Sequence, residues 1–390
     1  LSGLKKDDDM NTRTFVLAPD SFKESMTAKE VCVAMERGLR AVYPDAHYIH
    51  VPMADGGEGT TQSLVDATGG TLFTMTVTGP SGTPVEASYG ISGDGYIAII
   101  EMASASGIQH TRAGERNPLQ TTTYGTGQLI RACLDKGIRQ IILGIGGSAT
   151  NDGGAGMAEA LGARFYGKDN QQLPAGGGAL GALQRIDVST LDPRLSTVNI
   201  LVACDVTNPL CGEQGASAIF GPQKGATPEM VRLLDHNLAH YAQLIHQQLG
   251  KDIASQPGAG AAGGLGAGLL AFTNCELRKG IDIVLEYSGL RQHLSGADYC
   301  FTGEGRIDHQ TRFGKTPFGV AQAAKAVGVP VIAVAGSIGS GTDVLYDKGI
   351  DAIFGIIPQA DNIDNLLSSG PENIQRTCEN IARLLKLSAV

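Results

Sequence analysis

A glycine-rich segment after the apolar run 141–143 carries the residues best suited to binding an anion. Glycines have no Cβ, so an anion can approach their backbone N–H groups, and the helix expected after Gly156 would direct its N-terminus to the same place. Hydroxyl, amide and carboxylate side chains lie among the glycines. The segment therefore predicts a phosphate-binding loop with these candidate ligands: Gly146, Gly147, Ser148, Asn151, Asp152 and Gly153.

Acidic side chains follow several other apolar runs, where a parallel sheet would gather them at one edge. The run 199–204 is followed by Asp205 and Asn208, and the run 48–52 by Asp55. Carboxylates of this kind hold Mg²⁺ on phosphate oxygens during phosphoryl transfer. We predict that Asp205 is a general base or a Mg²⁺ ligand, helped by Asn208, and that Asp55 is a second metal ligand. The alternative is that Asp205 only caps the following turn.

Two cations are placed to meet a negatively charged substrate. Lys23 follows the apolar run 14–18, and Arg306 follows the run 298–302. Such cations neutralise charge on a substrate carboxylate or on a transferring phosphoryl group. We predict catalytic roles for Lys23, Arg306 and Asp308. Surface ion pairs with neighbouring glutamates are the alternative for both cations. The polar residues predicted to bind substrate are Asp20, Ser21, Asp55, Glu304 and Asn208.

Alternating strands and helices are predicted at both ends of the chain, as the βα units of a doubly wound parallel sheet require. Thr27 and Glu30 form a capping-box pattern that opens a helix through Leu39. A further helix is predicted over about 317–327. The predicted strands are 14–18, 48–52, 298–302, 329–335 and 352–357.

The middle of the chain has a different pattern. Short alternating β runs within 72–101 are separated by glycine turns, which predicts antiparallel hairpins. A strand at 199–204 and a long helix over 228–249 come later. We therefore predict two α/β domains, with these bounds: a parallel-sheet domain from 14–79 and 290–390, an inserted mixed α/β domain over 80–289, and 1–13 as an upstream extension or cloning remnant.

Composition argues against several classes of partner. The 390 residues carry a net charge of −9, whereas nucleic acids and acidic membranes require a basic surface. No apolar run approaches the roughly 18 residues of a membrane span, and the N-terminal residues lack the apolar core of a signal peptide. The seven scattered cysteines include no CxxC pair, so we expect neither a disulfide framework nor a zinc site. The sequence predicts a cytoplasmic protein that binds neither nucleic acid nor membrane.

Three segments of the sequence partly match known nucleotide-binding motifs. Residues 313–316 match the tail of a Walker A loop, but His309 stands where its first glycine is needed. The GxGxxG match at 258–263 follows no strand, which favours a glycine-rich turn into a close-packed helix. Residues 144–149 do follow a predicted strand. A dinucleotide site would need an acidic residue about 20 positions further on, and Arg164, which lies in that region, would suit only the 2′-phosphate of NADP. An NADP-dependent oxidoreductase of a small hydroxy acid is therefore kept as the alternative function, beside a non-catalytic sugar-acid-binding module.

Six motifs, in order along the chain, resemble the signature blocks of bacterial glycerate kinases of the type found in enterobacterial glucarate and glyoxylate catabolism. The resemblance runs from about Thr14 to the C-terminus, with Phe22 at a position where Tyr is also usual. The motifs are 17–25, 54–60, 144–154, 203–209, 257–264 and 302–308.

This resemblance implies a fold and an activity. Such enzymes use ATP and Mg²⁺ to phosphorylate D-glycerate, and 2-phosphoglycerate is favoured over 3-phosphoglycerate as the product. Two α/β domains, one flavodoxin-like and one formed by an insertion, flank a cleft that holds the active site. The glycine-rich loop then binds ATP, D-glycerate and ATP are the small-molecule partners, and a homodimer is compatible with the sequence.

Overall fold

The computed structural model describes residues 12–387, and the chain divides into two compact units. Unit 1 contains the residues up to Asp55 and those from Leu285 onward, and unit 2 contains Gly56–Val284. The sequence placed the two divisions at 79/80 and 289/290. The first division falls earlier because residues 60–78 form a helix and an edge strand of the unit 2 sheet. Residues 1–11 of the predicted extension lie outside the described residues.

The secondary structure alternates between strands and helices along most of the described chain. The strands are β1 (Thr14–Leu17), β2 (His47–His50), β3 (Thr71–Thr78), β4 (Pro84–Ile91), β5 (Ile97–Glu101), β6 (Gln140–Gly144), β7 (Arg164–Tyr166), β8 (Arg185–Asp187), β9 (Asn199–Ala203), β10 (Cys275–Arg278), β11 (Tyr299–Ile307), β12 (Val331–Ile338) and β13 (Ala352–Gly355). The α-helices are α1 (Ala28–Arg40), α2 (Thr60–Thr68), α3 (Met102–Ser106), α4 (Tyr124–Asp135), α5 (Ala155–Ala160), α6 (Ala216–Phe220), α7 (Pro228–Leu249), α8 (Ala261–Phe272), α9 (Gly280–Tyr287), α10 (Leu290–Leu294), α11 (Thr316–Lys325), α12 (Ile363–Ser368) and α13 (Gly370–Leu387).

Unit 1 is built on a parallel sheet in the order β13-β12-β11-β1-β2. β1 pairs with β11, with Phe15 opposite Tyr299, so the two ends of the chain share one sheet, as predicted. Helices α1 and α13 pack together beside this sheet. A Cβ on Gly38 of α1 would lie 2.2 Å from the carbonyl oxygen of Gln375, so glycine permits this close helix packing.

The predicted capping box is confirmed, and one predicted strand is longer than expected. Thr27 Oγ1 accepts a hydrogen bond from Glu30 N, and the Glu30 carboxylate accepts one from Thr27 N. The strand predicted over 298–302 continues as β11 through Ile307, because Arg306 and Ile307 remain paired with β12. Glu304 and Arg306 therefore lie on a strand, where the sequence predicted a loop.

Unit 2 is built on a mixed sheet in the order β10-β9-β6-β5-β4-β3. Strands β5, β6, β9 and β10 run parallel, while β3, β4 and β5 form the predicted antiparallel hairpins. β7 and β8 form a separate antiparallel pair. The core of this sheet includes Ile100, Leu143 and Val202, packed with Leu129 of α4 and Leu265 of α8.

The glycine-rich turn predicted at 258–263 packs backbone against backbone on the segment 144–154. Ala262, Gly263 and Gly264 have left-handed φ angles of 53°, 66° and 86°. A Cβ on Gly263 would lie 1.9 Å from the carbonyl oxygen of Thr150. Glycine is required there by both backbone conformation and space.

The α/β class predicted from the sequence is confirmed, with one all-parallel sheet and one mixed sheet. Among residues 12–387, none of the helices has the length and apolar character needed to cross a membrane.

Candidate functional site

Four strands of unit 2 end in register at one edge of the sheet. Glu101 of β5 lies opposite Gly144 of β6, Gly144 opposite Ala203 of β9, and Ala203 opposite Arg278 of β10. The glycine-rich loop begins at Gly144, and Asp205 follows β9 directly after Cys204. Parallel α/β sheets bind ligands outside this edge, so the loop and Asp205 are at the predicted place.

The first part of the glycine-rich loop presents free backbone donors. Gly146 and Gly147 are exposed, and the N–H groups of Gly146, Gly147 and Ser148 donate to no other residue in the described part of the chain. The loop is held from the other side, because the Gly147 carbonyl accepts from Ile108 N at 2.9 Å and Ala149 N donates to a backbone carbonyl at 3.0 Å. A loop that is held by these two hydrogen bonds and still has open amides suits the binding of a phosphate.

Asp152, a predicted ATP ligand, is instead directed into the interior of unit 2. Its carboxylate accepts hydrogen bonds from the backbone N and Oγ1 of Thr123 and from the amides of Gly154 and Gly156. Burial raises the pKa of Asp152, and these hydrogen bonds oppose that rise. The carboxylate thus fixes the start of α5 from inside the unit.

Asn151 and Gly153 likewise have internal partners. Asn151 is buried and its Nδ2 donates to Ser217 Oγ at 2.9 Å. The Gly153 amide donates to the Gly263 carbonyl at 3.0 Å. These contacts hold the second part of the loop in place, and the predicted role of its residues in ATP binding stays a prediction.

Asp205 is exposed and caps a helix. Its Oδ1 accepts a hydrogen bond from Gly280 N, the first residue of α9, at 3.0 Å. Asn208 Nδ2 donates to the carbonyl of Gln214 at 2.8 Å. The structure therefore places Asp205 at the predicted edge. The helix that it caps begins 75 residues further along the chain, so this contact differs from the cap of the following turn that was the alternative.

Glu101 is a charged residue of this edge that the sequence analysis did not select. Its carboxylate accepts from Thr61 N at 2.8 Å and from Gly59 N at 3.3 Å, which caps α2. Burial raises the pKa of Glu101 above its usual value. Its position at the end of the third hairpin strand was visible in the sequence, but the parallel pairing of that strand with β6 was not.

Lys224 is a second residue that the sequence analysis missed. It ends the 3₁₀ helix Pro222–Lys224, and its side chain is only 2% exposed. Its Nζ donates to Ser148 Oγ and to the Thr150 carbonyl, both at 2.7 Å. Burial lowers the pKa of Lys224 to about 7, although the nearby Asp152 charge opposes this shift. Only tertiary packing brings Lys224 to Ser148 and Thr150, which precede it by 76 and 74 residues.

In unit 1, the predicted residues Asp20, Ser21 and Asp55 are brought together. The Asp20 carboxylate accepts from Ser21 N at 2.6 Å and from Thr316 Oγ1 at 2.5 Å. Burial raises the pKa of Asp20 to about 6, and repulsion from Asp55 adds to the rise. This group follows β1, and Asp20 N donates to the Gly303 carbonyl of β11.

Glu304 on β11 belongs to the same group of carboxylates. Burial raises the pKa of Glu304 to about 7, and Asp20 and Asp55 contribute to the rise, while Lys315 and Thr311 oppose it. Thr311 Oγ1 donates to Glu304 Oε1 at 2.9 Å, and Lys315 Nζ lies 3.6 Å from Oε2. Lys315, which the sequence analysis placed only in a failed Walker motif, is therefore the cation next to Glu304.

The two predicted cations lie on the exposed surface of unit 1. Lys23 is exposed, and a Cβ on Gly305 would lie 3.9 Å from its backbone N, so the turn after β1 adjoins the end of β11. Arg306 has a side chain that is 68% exposed, and its Nε donates to Asp308 Oδ2 at 3.0 Å. The hydrogen bond from the Gln310 amide holds the pKa of Asp308 below its usual range, and the hydrogen bond from Arg306 lowers it further.

The carboxylates of unit 1 fit a hard divalent cation by charge and donor type. In the part of the chain that the structure describes, no group of three or more His, Cys, Asp or Glu side chains is arranged to hold a metal. Mg²⁺ on a nucleotide needs only one or two carboxylates, because phosphates and waters complete its shell. The repulsion between Asp20 and Asp55 is of the kind that a cation would relieve.

Comparison with known proteins decides among the candidate activities. The model of the glycerate kinase family matches residues 15–386. The chain belongs to the glycerate kinase family. A glycerate kinase from Halalkalibacterium halodurans is 54% identical over 369 residues, covering 95% of this chain and 97% of the relative. The glycerate 2-kinase of Escherichia coli K12 is 51% identical over 372 residues, covering 95% and 98%.

A solved structure of a similar protein supports the family assignment. The crystal structure of a provisionally assigned glycerate kinase 2 from Salmonella typhimurium LT2 has a TM-score of 0.90 and 51% identity, and it covers 97% of this chain and 100% of that one. The predicted kinase activity is thereby confirmed, with glycerate and ATP as the small-molecule substrates. The oxidoreductase and binding-module alternatives are set aside.

Proposed function

We propose that this kinase transfers the γ-phosphoryl group of ATP to the 2-hydroxyl of D-glycerate, with Mg²⁺ as cofactor. The E. coli relative, named a glycerate 2-kinase, supports the 2-position. The observation that carries the assignment of the ATP site is the set of open amides at Gly146, Gly147 and Ser148, located at the sheet edge where Asp205 also lies.

The nucleotide phosphates bind the first part of the glycine-rich loop. The amides of Gly146, Gly147 and Ser148 donate to phosphate oxygens, and the hydrogen bond from Ile108 N to the Gly147 carbonyl holds this part of the loop in place. Asn151, Asp152 and Gly153 support this site through their internal hydrogen bonds. Preoriented amides stabilise charge on the phosphoryl group without reorganisation during transfer.

Asp205 acts as the general base or as a Mg²⁺ ligand, with Asn208 beside it, and Asp55 is the second candidate ligand. A carboxylate base would accept the proton of the attacking hydroxyl. Bound Mg²⁺ would neutralise charge on the phosphate oxygens. The exposure of Asp205 and the charge repulsion at Asp55 support these roles.

Unit 1 supplies the glycerate side. Lys23 and Arg306 meet the substrate carboxylate or the transferring phosphoryl group, and Asp308 orients Arg306 through its ion pair. Because the pKa of Glu304 is raised to about 7, this carboxyl is partly protonated near neutral pH and can donate a hydrogen bond to a substrate oxygen. Asp20 and Ser21 complete the polar surface for the glycerate hydroxyls.

Product analysis tests this function. The purified protein is incubated with ATP and either D- or L-glycerate, with Mg²⁺ or with a chelator. We expect ADP release with D-glycerate and Mg²⁺ only, and a product that phosphorus NMR identifies as 2-phosphoglycerate. A 3-phosphate product would refute the regiochemistry, and full activity after exhaustive chelation would refute the metal requirement.

A homodimer and a cytoplasmic location remain part of the proposal. The glycerate and ATP substrates are metabolites of the cell interior, which supports the location. Sedimentation equilibrium at micromolar concentration would decide the assembly state, with a mass near the 40.5 kDa of one chain contradicting the dimer.

A further inference from the structure

Lys224 is a buried cation in contact with a loop that has none of its own. Residues 144–154 contain no lysine or arginine. Lys224 reaches this loop from the 3₁₀ helix after α6, and its Nζ donates to Ser148 Oγ and to the Thr150 carbonyl at 2.7 Å each. The two acceptors lie immediately after the open amides of Gly146 and Gly147.

Burial of an ammonium group costs free energy unless the group is paired with an anion and hydrogen-bonded. The side chain of Lys224 is 2% exposed, and Asp152 is the buried anion that favours its charged form. A neutral side chain could have joined Ser148 to Thr150 without this cost. Two further buried atoms of the same turn, Thr150 Oγ1 and Asn151 Oδ1, have no hydrogen-bond partner within the described residues. The turn therefore holds one buried amino group and two buried polar atoms without partners.

We propose that Lys224 is a positioning residue for nucleotide binding, whose ammonium holds Ser148 and Thr150 so that the amides of residues 146–148 face the phosphates, and whose positive charge draws those phosphates to the loop. This role rests on the proposed binding of ATP by the glycine-rich loop. Because the charge lies beneath the loop and away from solvent, it is weakly screened.

Three other ionisable groups lie beside this turn: Tyr241, Arg116 and Asp152. Burial raises the pKa of Tyr241 on α7 well above its usual value, so its phenol stays protonated. The guanidinium of Arg116 donates to the carbonyl of Gln223, the residue before Lys224. Burial raises the pKa of Asp152, and its hydrogen bonds from Thr123, Gly154 and Gly156 oppose that rise. Lys224, with a pKa of about 7, is the group here that can take up a proton when a phosphate binds at pH 8.

The test compares Lys224→Met with Lys168→Met, an exposed lysine of the same unit. We expect Lys224→Met to raise the Kd of ADP and the KM of ATP about tenfold or more, the loss of a charge-assisted contact, with the glycerate KM within about twofold. Lys168→Met should behave as the wild type. Equal losses in both KM values, or an unchanged ADP affinity in folded Lys224→Met protein, would overturn the proposal.

A second measurement uses the wild-type protein, so the proposal stays testable if Lys224→Met does not fold. Calorimetry of Mg-ADP binding at pH 8, in buffers of different ionisation enthalpy, should detect uptake of a large fraction of a proton. No uptake would overturn the role of the charge. Gly147→Ala distinguishes a failure of the proposed ATP-binding loop from a failure of the proposed role of Lys224. If Gly147→Ala leaves ADP binding intact, the loop assignment itself fails. If Gly147→Ala weakens ADP binding and Lys224→Met does not, only the role of Lys224 is refuted.

Discussion

Gly147 combines a left-handed backbone with an open amide, and the two properties can be separated by a matched substitution. Gly147 has φ of 75°, and Gly137, at the end of α4, has φ of 78° with nothing within 4 Å of an added Cβ. We expect Gly137→Ala to lower the free energy of unfolding by about 1 kcal/mol. Gly147→Ala should lower it somewhat more, because its Cβ would lie 3.2 Å from the Cβ of Ala103. Only Gly147→Ala should weaken ADP binding measured by calorimetry. Equal ADP affinity in the two variants would contradict the phosphate role.

Asp205→Asn separates catalysis from helix capping. Asparagine can still accept the hydrogen bond from Gly280 N, so the melting temperature should change little. If Asp205 is a general base or a metal ligand, Asp205→Asn removes that function, and kcat should fall about 100-fold or more in a coupled ADP-release assay. Asp235→Asn is the control, since Asp235 Oδ1 also accepts from a backbone amide, that of Gly212. A near-normal kcat for Asp205→Asn would leave Asp205 as a cap only.

The buried lysine should leave a signature in the pH dependence of stability. Lys224 has a pKa of about 7 in the folded protein, against an ordinary value of 10.5 when unfolded. Between these values the unfolded chain binds more protons, so folding becomes more favourable as pH rises, by up to about 1.4 kcal/mol per pH unit. Urea unfolding should therefore show that the free energy of unfolding of the wild type, relative to that of Lys224→Met, is higher at pH 8.5 than at pH 6.5. A pH-independent difference would contradict a buried, titrating ammonium.

Sequence reasoning selected candidate residues that directly follow apolar runs, and the structure places several of them at the ends of parallel strands. Asp20 and Asp205 lie where parallel strands end, which the order of the chain alone predicts. Lys224 and Lys315 reach their carboxylate or carbonyl partners through tertiary packing, and no spacing in the sequence encodes that contact. The inward direction of Asp152 was also inaccessible, because its partner Thr123 is distant in sequence.

At the scale of elements, the turn into α8 sets the shape of the glycine-rich loop. Gly263→Ala would place a Cβ 1.9 Å from the Thr150 carbonyl at a φ of 66°, so we expect a loss of about 3 kcal/mol or more in unfolding free energy. Gly250→Ala, at φ 70° with open space, should cost only about 1 kcal/mol. Denaturant unfolding of both variants tests this, and equal losses would show that backbone conformation alone matters.

Helix starts and buried strands were predictable, whereas strand ends were less so. The Thr27–Glu30 capping box and the long helix α7 (Pro228–Leu249) follow from local patterns. β11 extends past its apolar part because its last residues pair with β12 rather than because of their own β propensity. Such an extension depends on the neighbouring strand, which a single run of sequence does not contain.

At the scale of the whole molecule, unit 2 is a continuous stretch of chain with its own core. A fragment of residues 56–287, which keeps all of α9, should therefore fold alone. We expect cooperative thermal unfolding and retained ADP binding, with no phosphorylation of glycerate because Asp20 and Glu304 are absent. Calorimetry of the fragment measures both properties. A fragment that unfolds without cooperativity, or that phosphorylates glycerate, would contradict the division of roles.

The pairing of β1 with β11 has a consequence for how the chain is synthesised. Phe15 emerges from the ribosome early, but its sheet partner Tyr299 is translated only after the whole of unit 2. Apolar residues of nascent β1 and α1, such as Val16 and Met35, therefore stay exposed to solvent until β11 is translated, whereas unit 2 can fold before then. Chaperone demand during translation should concentrate on this short early segment. Slowing translation before residue 299 would lengthen its exposure, and aggregation of nascent chains should rise.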